Sequence, residues 1–243
     1  MTEQPKQHDN DDVEWTVLYH SPGKFKGRGE FLRLMLEDAD VPYLNSGDNL
    51  YGPTGLMDAF RGDAEAVRAN NDAVYPVFFP PAVLHRPKNN KHEPPVMINQ
   101  VGACMIYLGD QLGYAPQTPA EAARANSILL NALDYISEGR KSFHPVKNSM
   151  SYNDQKEEGD KESKEFCQTR LPFFLYHFEK VVTVHGSHKP VAGGIHLTYA
   201  DFAVFHVLDA TVCQFNSDFY DKAWDKLDVP HLKQFHDFMK NLR

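Results

Sequence analysis

The hexapeptide Leu-Thr-Tyr-Ala-Asp-Phe at residues 197–202 indicates more about the fold than any other stretch of the chain. Thr198 is placed to cap a helix at its N-terminus, and Asp201 can return the hydrogen bond, which makes a capping box. Leu197 and Phe202 have the spacing of a hydrophobic staple. The helix that follows is apolar on nearly every side, so we expect it to lie inside a helical core.

The residues around this helix predict an all-helical second half. Thr118 precedes a proline and Glu121, which together predict a second capping box with proline at the first helical position. No convincing strand follows, so we expect a helical bundle. Its helices are predicted at about 119–140, 157–184, 199–214 and 230–241.

The first part of the chain alternates short strands and helices. The predicted order is β-α-β-α-β-β-α, with strands at 15–19, 40–44, after Pro81 and at 96–98, and helices at 28–38, 55–68 and 102–112. This order describes a thioredoxin-like sheet. We therefore predict an α/β plus all-α protein, with a flexible tail at residues 1–12, a thioredoxin-like domain at 13–113 and an all-helical domain at 118–243.

Composition excludes several classes of protein. A net charge of −8 in 243 residues argues against nucleic-acid binding, and no apolar run is long enough to span a membrane. The N-terminus does not resemble a signal peptide. The three cysteines have no metal-like spacing; Cys104 and Cys213 are expected to be buried structural thiols, which fits a cytoplasmic protein with no metal.

Four stretches together resemble the cytosolic glutathione S-transferases of the tyrosine type, over nearly the whole chain. They are Leu18-Tyr19 leading to residues 27–33, Phe79-Pro80-Pro81 before the third strand, Ile98-Asn99-Gln100 leading to a helix, and the Thr198–Asp201 cap. The resemblance implies a dimer that adds the thiolate of glutathione to small hydrophobic electrophiles, as in detoxification.

The chemistry of that reaction needs a hydrogen-bond donor for the sulfur. The glutathione thiol has a pKa of about 8.5 in solution, so only a few per cent of it is thiolate at neutral pH. Lowering this pKa by about two units takes about 2.7 kcal/mol. By the resemblance, Tyr19 supplies the hydroxyl, with Ser21 as the rival donor because other transferase classes use a serine in this loop.

The resemblance also implies a glutathione site. A cis bond before Pro81 would present the backbone of Ala82 to the peptide, with Pro80 and Pro76 as alternatives. Gln100 marks the turn into a helix whose N–H groups can hold the γ-glutamyl carboxylate. Val101 departs from the family, since a serine or threonine is expected there.

The remaining predicted contacts are more distant in sequence. Arg28 would help to shape the glutathione cleft, and Asp134 could reach the glutathione amine across a homodimer. The electrophile pocket is predicted to include four residues of the second domain: Tyr135, Phe143, His144 and Tyr152. The alternative function is a non-catalytic binding protein with the transferase fold.

Overall fold

The protein's structure is a computed structural model that describes residues 13–19, 26–45, 78–88 and 95–242. The predicted tail at 1–12, the predicted helix near 55–68 and the candidate residues Ser21 and Pro76 lie outside these ranges. The chain divides into two compact units, Met1–Leu112 and Gly113–Arg243, which are called unit 1 and unit 2 below.

The described part of unit 1 contains a small mixed sheet with the order β2-β1-β3-β4. Its strands are β1 (Trp15–Leu18), β2 (Tyr43–Asn45), β3 (Ala82–His85) and β4 (Val96–Asn99). β1 is parallel to β2 and antiparallel to β3, which is antiparallel to β4. Every residue of β1 and β3 is buried, as expected for central strands covered on both faces.

The described part of unit 1 also has two helices, α1 (Glu30–Asp38) and α2 (Val101–Leu112), which pack against each other, and α2 also contacts β3 and β4. A short 3-10 turn, Gly27–Gly29, leads directly into α1. Phe31, Leu32, Met35 and Leu36 form its buried face, which follows the predicted helical spacing. The predicted order of elements is therefore confirmed where the structure describes it.

The described residues of unit 2 contain helices and no strand. The helices are α3 (Pro119–Ser142), α4 (Lys156–Gln168), α5 (Arg170–His185), α6 (Tyr199–Phe215), α7 (Ala223–Lys226) and α8 (Pro230–Lys240). Helix α6 is the central one: it is apolar on nearly all sides and eleven of its residues are buried. With the sheet of unit 1, this confirms the predicted fold class of an α/β part followed by a helical part.

The capping box of α6 is confirmed in both directions. The Asp201 carboxylate accepts the Thr198 N–H at 2.7 Å and its hydroxyl at 2.9 Å, and the Thr198 side chain caps the N–H of the third helical residue. The second oxygen of Asp201 also accepts the Val191 N–H at 2.8 Å. Phe202 packs edge-on against Tyr114, and its contact with Leu197 stays a prediction.

The start of α3 differs in part from its prediction. Thr118 caps the Glu121 N–H at 3.2 Å, as expected. The Glu121 carboxylate, however, accepts the Gln117 N–H at 2.9 Å instead of returning the bond to Thr118. The helix therefore begins where the sequence places it, with a different partner for the acid.

The single helix predicted at 157–184 is wrong, because the structure has two helices separated at Thr169. Pro172 lies in the first turn of α5. Proline has no N–H to continue the preceding helix and its ring would clash with the carbonyl four residues earlier, so one helix ends and another begins. The burial of Cys213 was also predicted wrongly: it is exposed near the end of α6, whereas Cys104 is buried as expected.

Membrane-spanning helices and clusters of metal ligands are two features that the described residues lack. None of the described helices has the length and apolar content required to cross a membrane. Within the same residues, no group of three histidine, cysteine, aspartate or glutamate side chains is close enough to hold a metal ion.

Candidate functional site

The antiparallel register brings three predicted site segments to one end of the sheet. Leu18 at the end of β1 pairs with Ala82 at the start of β3, and Ala82 pairs with Asn99 at the end of β4. Tyr19 and Gln100 are the residues that follow β1 and β4. Tyr19, Gln100 and the start of β3 at Ala82 therefore lie at the same end of the sheet.

Tyr19 is held against the start of α1. Its side chain is only 7% exposed, and its phenol oxygen accepts the backbone N–H of Arg28 at 3.1 Å. A phenol oxygen that accepts one hydrogen bond keeps the capacity to donate its own proton. An N–H at a helix start carries a partial positive charge, so the phenol is polarised as a donor.

Gly29 makes room for this arrangement. A Cβ atom at this position would lie 2.6 Å from Cδ1 of Tyr19 and 2.8 Å from Nη1 of Arg33. Real Cβ atoms are almost never found so close to other atoms, so the ring and the guanidinium both occupy the space that a side chain would need. Glycine is required here for close packing, since its φ of −68° suits any residue.

Arg33 links the first turn of α1 to the segment before it. Its Nε donates to Glu30 at 2.8 Å and its Nη2 donates to the carbonyl of Lys26 at 2.7 Å. Nη1 is buried and has no hydrogen-bond partner among the described residues. Neither Gly29 nor Arg33 was predicted as a site residue. The signal for Arg33 is the acidic residue and the arginine three residues apart at the start of a helix.

The segment before β3 contains a cis peptide bond between Pro80 and Pro81, as the family resemblance implies. Pro81 and Ala82 are both buried, and Ala82 has no exposed surface. Contact between the Ala82 backbone and a ligand therefore stays a prediction.

Gln100 and Val101 form the turn into α2. Gln100 is exposed and has a φ of +71°, in the left-handed region that few residues other than glycine adopt. Strained residues of this kind are common in ligand sites. Val101 is 4% exposed and opens the helix, whose first N–H groups have no partner within the helix itself.

The predicted residues of unit 2 lie on or next to its aromatic core. Asp134 is exposed on α3, whereas the neighbouring Tyr135 is 1% exposed and its hydroxyl lies 2.6 Å from that of Thr211. Burial raises the pKa of the Tyr135 phenol. Its ring contacts Phe166 and Phe174, so the structure gives this tyrosine the surroundings of a core residue.

The other three predicted pocket residues follow α3. The Phe143 ring stacks on Phe215 and meets the Tyr152 ring edge-on. The Tyr152 hydroxyl donates to Asp160, and Nδ1 of His144 lies 3.1 Å from the Met150 carbonyl oxygen. Their part in an electrophile pocket stays a prediction.

Unit 2 also has a cavity of about 240 Å³ beside α4. Cys167 and Tyr220 contribute to its wall, and burial raises the pKa of the Cys167 thiol to about 12. A thiol with such a pKa is not a nucleophile at neutral pH. The predicted residues Tyr135, Phe143, His144 and Tyr152 do not line this cavity.

Comparisons with known proteins agree with this architecture. Residues 141–243 match the family model described as the C-terminal domain of glutathione S-transferase. A comparison of the sequence with curated proteins gave no significant match.

Solved structures share the fold over most of the chain. A Pi-class glutathione S-transferase from Onchocerca volvulus has a TM-score of 0.64 and 20% identity, covering 95% of this chain and 89% of its own. A sigma-class transferase from Fasciola hepatica has a TM-score of 0.64 and 17% identity, covering 93% of this chain and 90% of its own. Prostaglandin synthase D of Nilaparvata lugens has a TM-score of 0.60 and 18% identity, covering 94% of this chain and 93% of its own. The predicted resemblance is confirmed, and the class stays undecided.

Proposed function

We propose that this chain, whose residues 141–243 match the model of the glutathione S-transferase C-terminal domain, is a glutathione transferase. It binds glutathione at the end of the sheet where Tyr19 and Gln100 emerge and adds the thiolate to a small hydrophobic electrophile. Residues 13–113 form the glutathione-binding domain and residues 118–243 the helical domain. The protein acts as a homodimer in the cytoplasm, and detoxification is the role that such chemistry serves.

The hydrogen bond from the Arg28 N–H to the Tyr19 oxygen is the observation that carries this proposal. The bond polarises the phenol, so its proton is a better donor to a nearby sulfur. With Tyr19 only 7% exposed, little water competes for that proton. The proton of the glutathione thiol leaves to solvent, and the thiolate then forms a carbon–sulfur bond with the electrophile. The electrophile releases its leaving group to solvent or, if it is an activated double bond, the π bond breaks and the neighbouring carbon takes a proton from solvent.

Gln100 supports the binding half of the proposal. Its left-handed backbone turns the chain from β4 into α2. The first backbone N–H groups of α2 lie next to it and can donate hydrogen bonds to a carboxylate. The γ-glutamyl carboxylate of glutathione is the group that matches this position. The further contacts that we propose with glutathione are made by Arg28, Pro81, Ala82 and Asp134. Ser21 stays the rival hydroxyl donor for the sulfur.

A pH titration of the thiolate absorbance in the glutathione complex tests the mechanism. We expect the apparent pKa of the bound thiol in the unaltered protein to be about two units below its solution value, equivalent to about 2.7 kcal/mol. Tyr19→Phe should return it close to that value, because the ring keeps its packing and loses only the hydroxyl.

Tyr43→Phe is the matched control for this experiment. It removes another hydrogen-bonded phenol of unit 1, since the Tyr43 hydroxyl donates to Glu37 at 2.7 Å, and it lies on β2. An unchanged thiol pKa in Tyr19→Phe, with glutathione still bound, would refute the proposed role of Tyr19.

The second candidate is a non-catalytic protein that keeps the transferase fold. Its support is the burial of Pro81, Ala82 and Val101, together with the lack of a hydroxyl at position 101. Glutathione at a hundred times its Kd would raise the unfolding free energy of a protein that binds it by about 2.7 kcal/mol. No rise in the unfolding midpoint at millimolar glutathione would favour this second candidate.

A further inference from the structure

We infer that Arg33 is a positioning residue, which holds the turn Gly27–Gly29 so that the Arg28 N–H points at the Tyr19 phenol. This inference rests on the proposed function, because it concerns the geometry of the same hydroxyl. Arg33 acts through Tyr19 and does not itself touch the sulfur.

The hydrogen bonds of Arg33 span the turn from both sides. Nη2 donates to the Lys26 carbonyl, which precedes the turn, and Nε donates to Glu30, which follows it. Arg33 is only 9% exposed, so these bonds lie where water competes weakly. The guanidinium therefore fixes the two ends of the turn relative to each other.

The turn needs such an anchor because of Gly27. This residue has a φ of +49° and lies between the Lys26 carbonyl and the Arg28 N–H. Glycine has the widest choice of backbone conformations, so a peptide next to it is easily reoriented. Holding the Lys26 carbonyl limits the rotations that would turn the Arg28 N–H away from the phenol.

The third nitrogen of Arg33 lies close to the phenol ring of Tyr19, above Gly29. Nη1 and Cδ1 of Tyr19 lie 2.8 Å and 2.6 Å from the same point, the ideal Cβ position of Gly29. The guanidinium and the ring thus lie on either side of one small space above that glycine. Nη1 has no hydrogen-bond partner among the described residues, although it is buried.

Stability alone does not require an arginine at position 33. Apolar side chains of similar volume often replace buried ion pairs without loss of stability. A role in holding the turn accounts for the two bonds that Arg33 makes and for its position beside Tyr19.

Arg33→Met tests the inference by removing both bonds while keeping an unbranched side chain. We expect the apparent pKa of bound glutathione's thiol to rise by about one unit, which is about a ten-fold loss of thiolate below that pKa. The value of kcat below the pKa should fall by the same factor, with the KM for glutathione nearly unchanged.

A double-mutant cycle separates positioning from a direct effect of the charge. In a Tyr19→Phe background, Arg33→Met should leave the thiol pKa unchanged, because the group that it positions has gone. Arg33→Lys keeps the charge but cannot reproduce the planar fork, so its thiol pKa should also rise. If the Arg33→Met variant does not fold, Arg33→Lys can replace it in the same double-mutant cycle.

Arg170→Met is the matched control, since Arg170 pairs with Glu138 through two hydrogen bonds in unit 2. It should leave the thiol pKa unchanged. An equal shift from Arg33→Met with and without the Tyr19 hydroxyl, or an unchanged pKa in Arg33→Lys, would overturn the inference alone. A failure of Tyr19→Phe to move the pKa would instead overturn the proposed function and this inference with it.

Discussion

Replacing Gly29 by alanine sets two opposite effects against each other. Gly29 precedes α1 with helical dihedral angles, φ −68° and ψ −23°, so alanine fits the backbone. On propensity alone, the substitution should stabilise the protein by up to about 1 kcal/mol. The structure predicts the opposite result, because the new methyl group has no space.

The size of the clash gives the expected magnitude. The methyl carbon would lie 2.6 Å from Cδ1 of Tyr19, whereas ordinary contacts begin at 3.4 Å, so the ring must retreat by about 0.8 Å. Arg33 cannot relieve the strain freely, since two of its nitrogens are hydrogen-bonded. Overpacking of this kind costs about 1–3 kcal/mol, so we expect a net loss of about 1 kcal/mol.

Gly139→Ala is the matched control in α3. Gly139 is also buried, but a Cβ there would meet its nearest atom, of Phe166, at 3.5 Å, an ordinary contact. Alanine should therefore stabilise the protein at this position by about 0.5–1 kcal/mol. Urea unfolding of both variants should differ by about 2 kcal/mol.

The same variant tests the candidate site. A displacement of the ring moves the phenol away from the Arg28 N–H and from a bound sulfur, and misplacement by about 1 Å can reduce a rate about a hundred-fold. The thiolate titration should show a raised pKa of bound glutathione in Gly29→Ala and no change in Gly139→Ala. Stabilisation by Gly29→Ala with an unchanged thiol pKa would refute the packing of Tyr19 on Gly29.

Two further predictions concern stability against pH and glutathione affinity. Burial raises the pKa of Asp201 to about 6, above the value of about 3.9 expected when unfolded, so the folded protein binds the extra proton between these values. The contribution of Asp201 to the unfolding free energy should therefore fall by about 3 kcal/mol as pH rises from about 4 to 6 and then level off. Asp201→Asn should remove this slope in urea unfolding, and an equal slope in both proteins would contradict it. Val101→Thr keeps the shape of the side chain and adds a hydroxyl at the start of α2, so glutathione should bind about ten-fold more tightly by titration calorimetry; unchanged affinity would mean that the hydroxyl does not reach the carboxylate.

Local sequence signals predicted the elements well. Hydrophobic spacing located β1, α1 and α6, because the pattern of apolar residues reports directly on which side of an element is buried. The Thr198–Asp201 cap was also predictable, since its donor and acceptor lie three residues apart. The break between α4 and α5 could have been predicted from Pro172, whose effect on a helix is local.

Contacts between residues far apart in sequence required the tertiary structure. The exposure of Cys213 depends on which side of α6 the neighbouring helices leave uncovered, and apolar neighbours in sequence do not reveal this. One local contact was not predicted either: the Glu121 carboxylate accepts the N–H of Gln117, four residues earlier, in place of that of Thr118.

The sequence by itself determined the alternation of strands and helices in the described part of unit 1, the Thr198–Asp201 cap and the presence of a tyrosine after the first strand, since each is specified by neighbouring residues. Only the tertiary structure decided that Tyr19 meets the Arg28 N–H above Gly29, beside Arg33. That arrangement depends on where residues 26–33 lie relative to the end of β1. The hydrogen bond of Tyr19 with Arg28 and the close packing on Gly29 join residues nine and ten positions apart, and the residue types next to each of them do not predict such contacts.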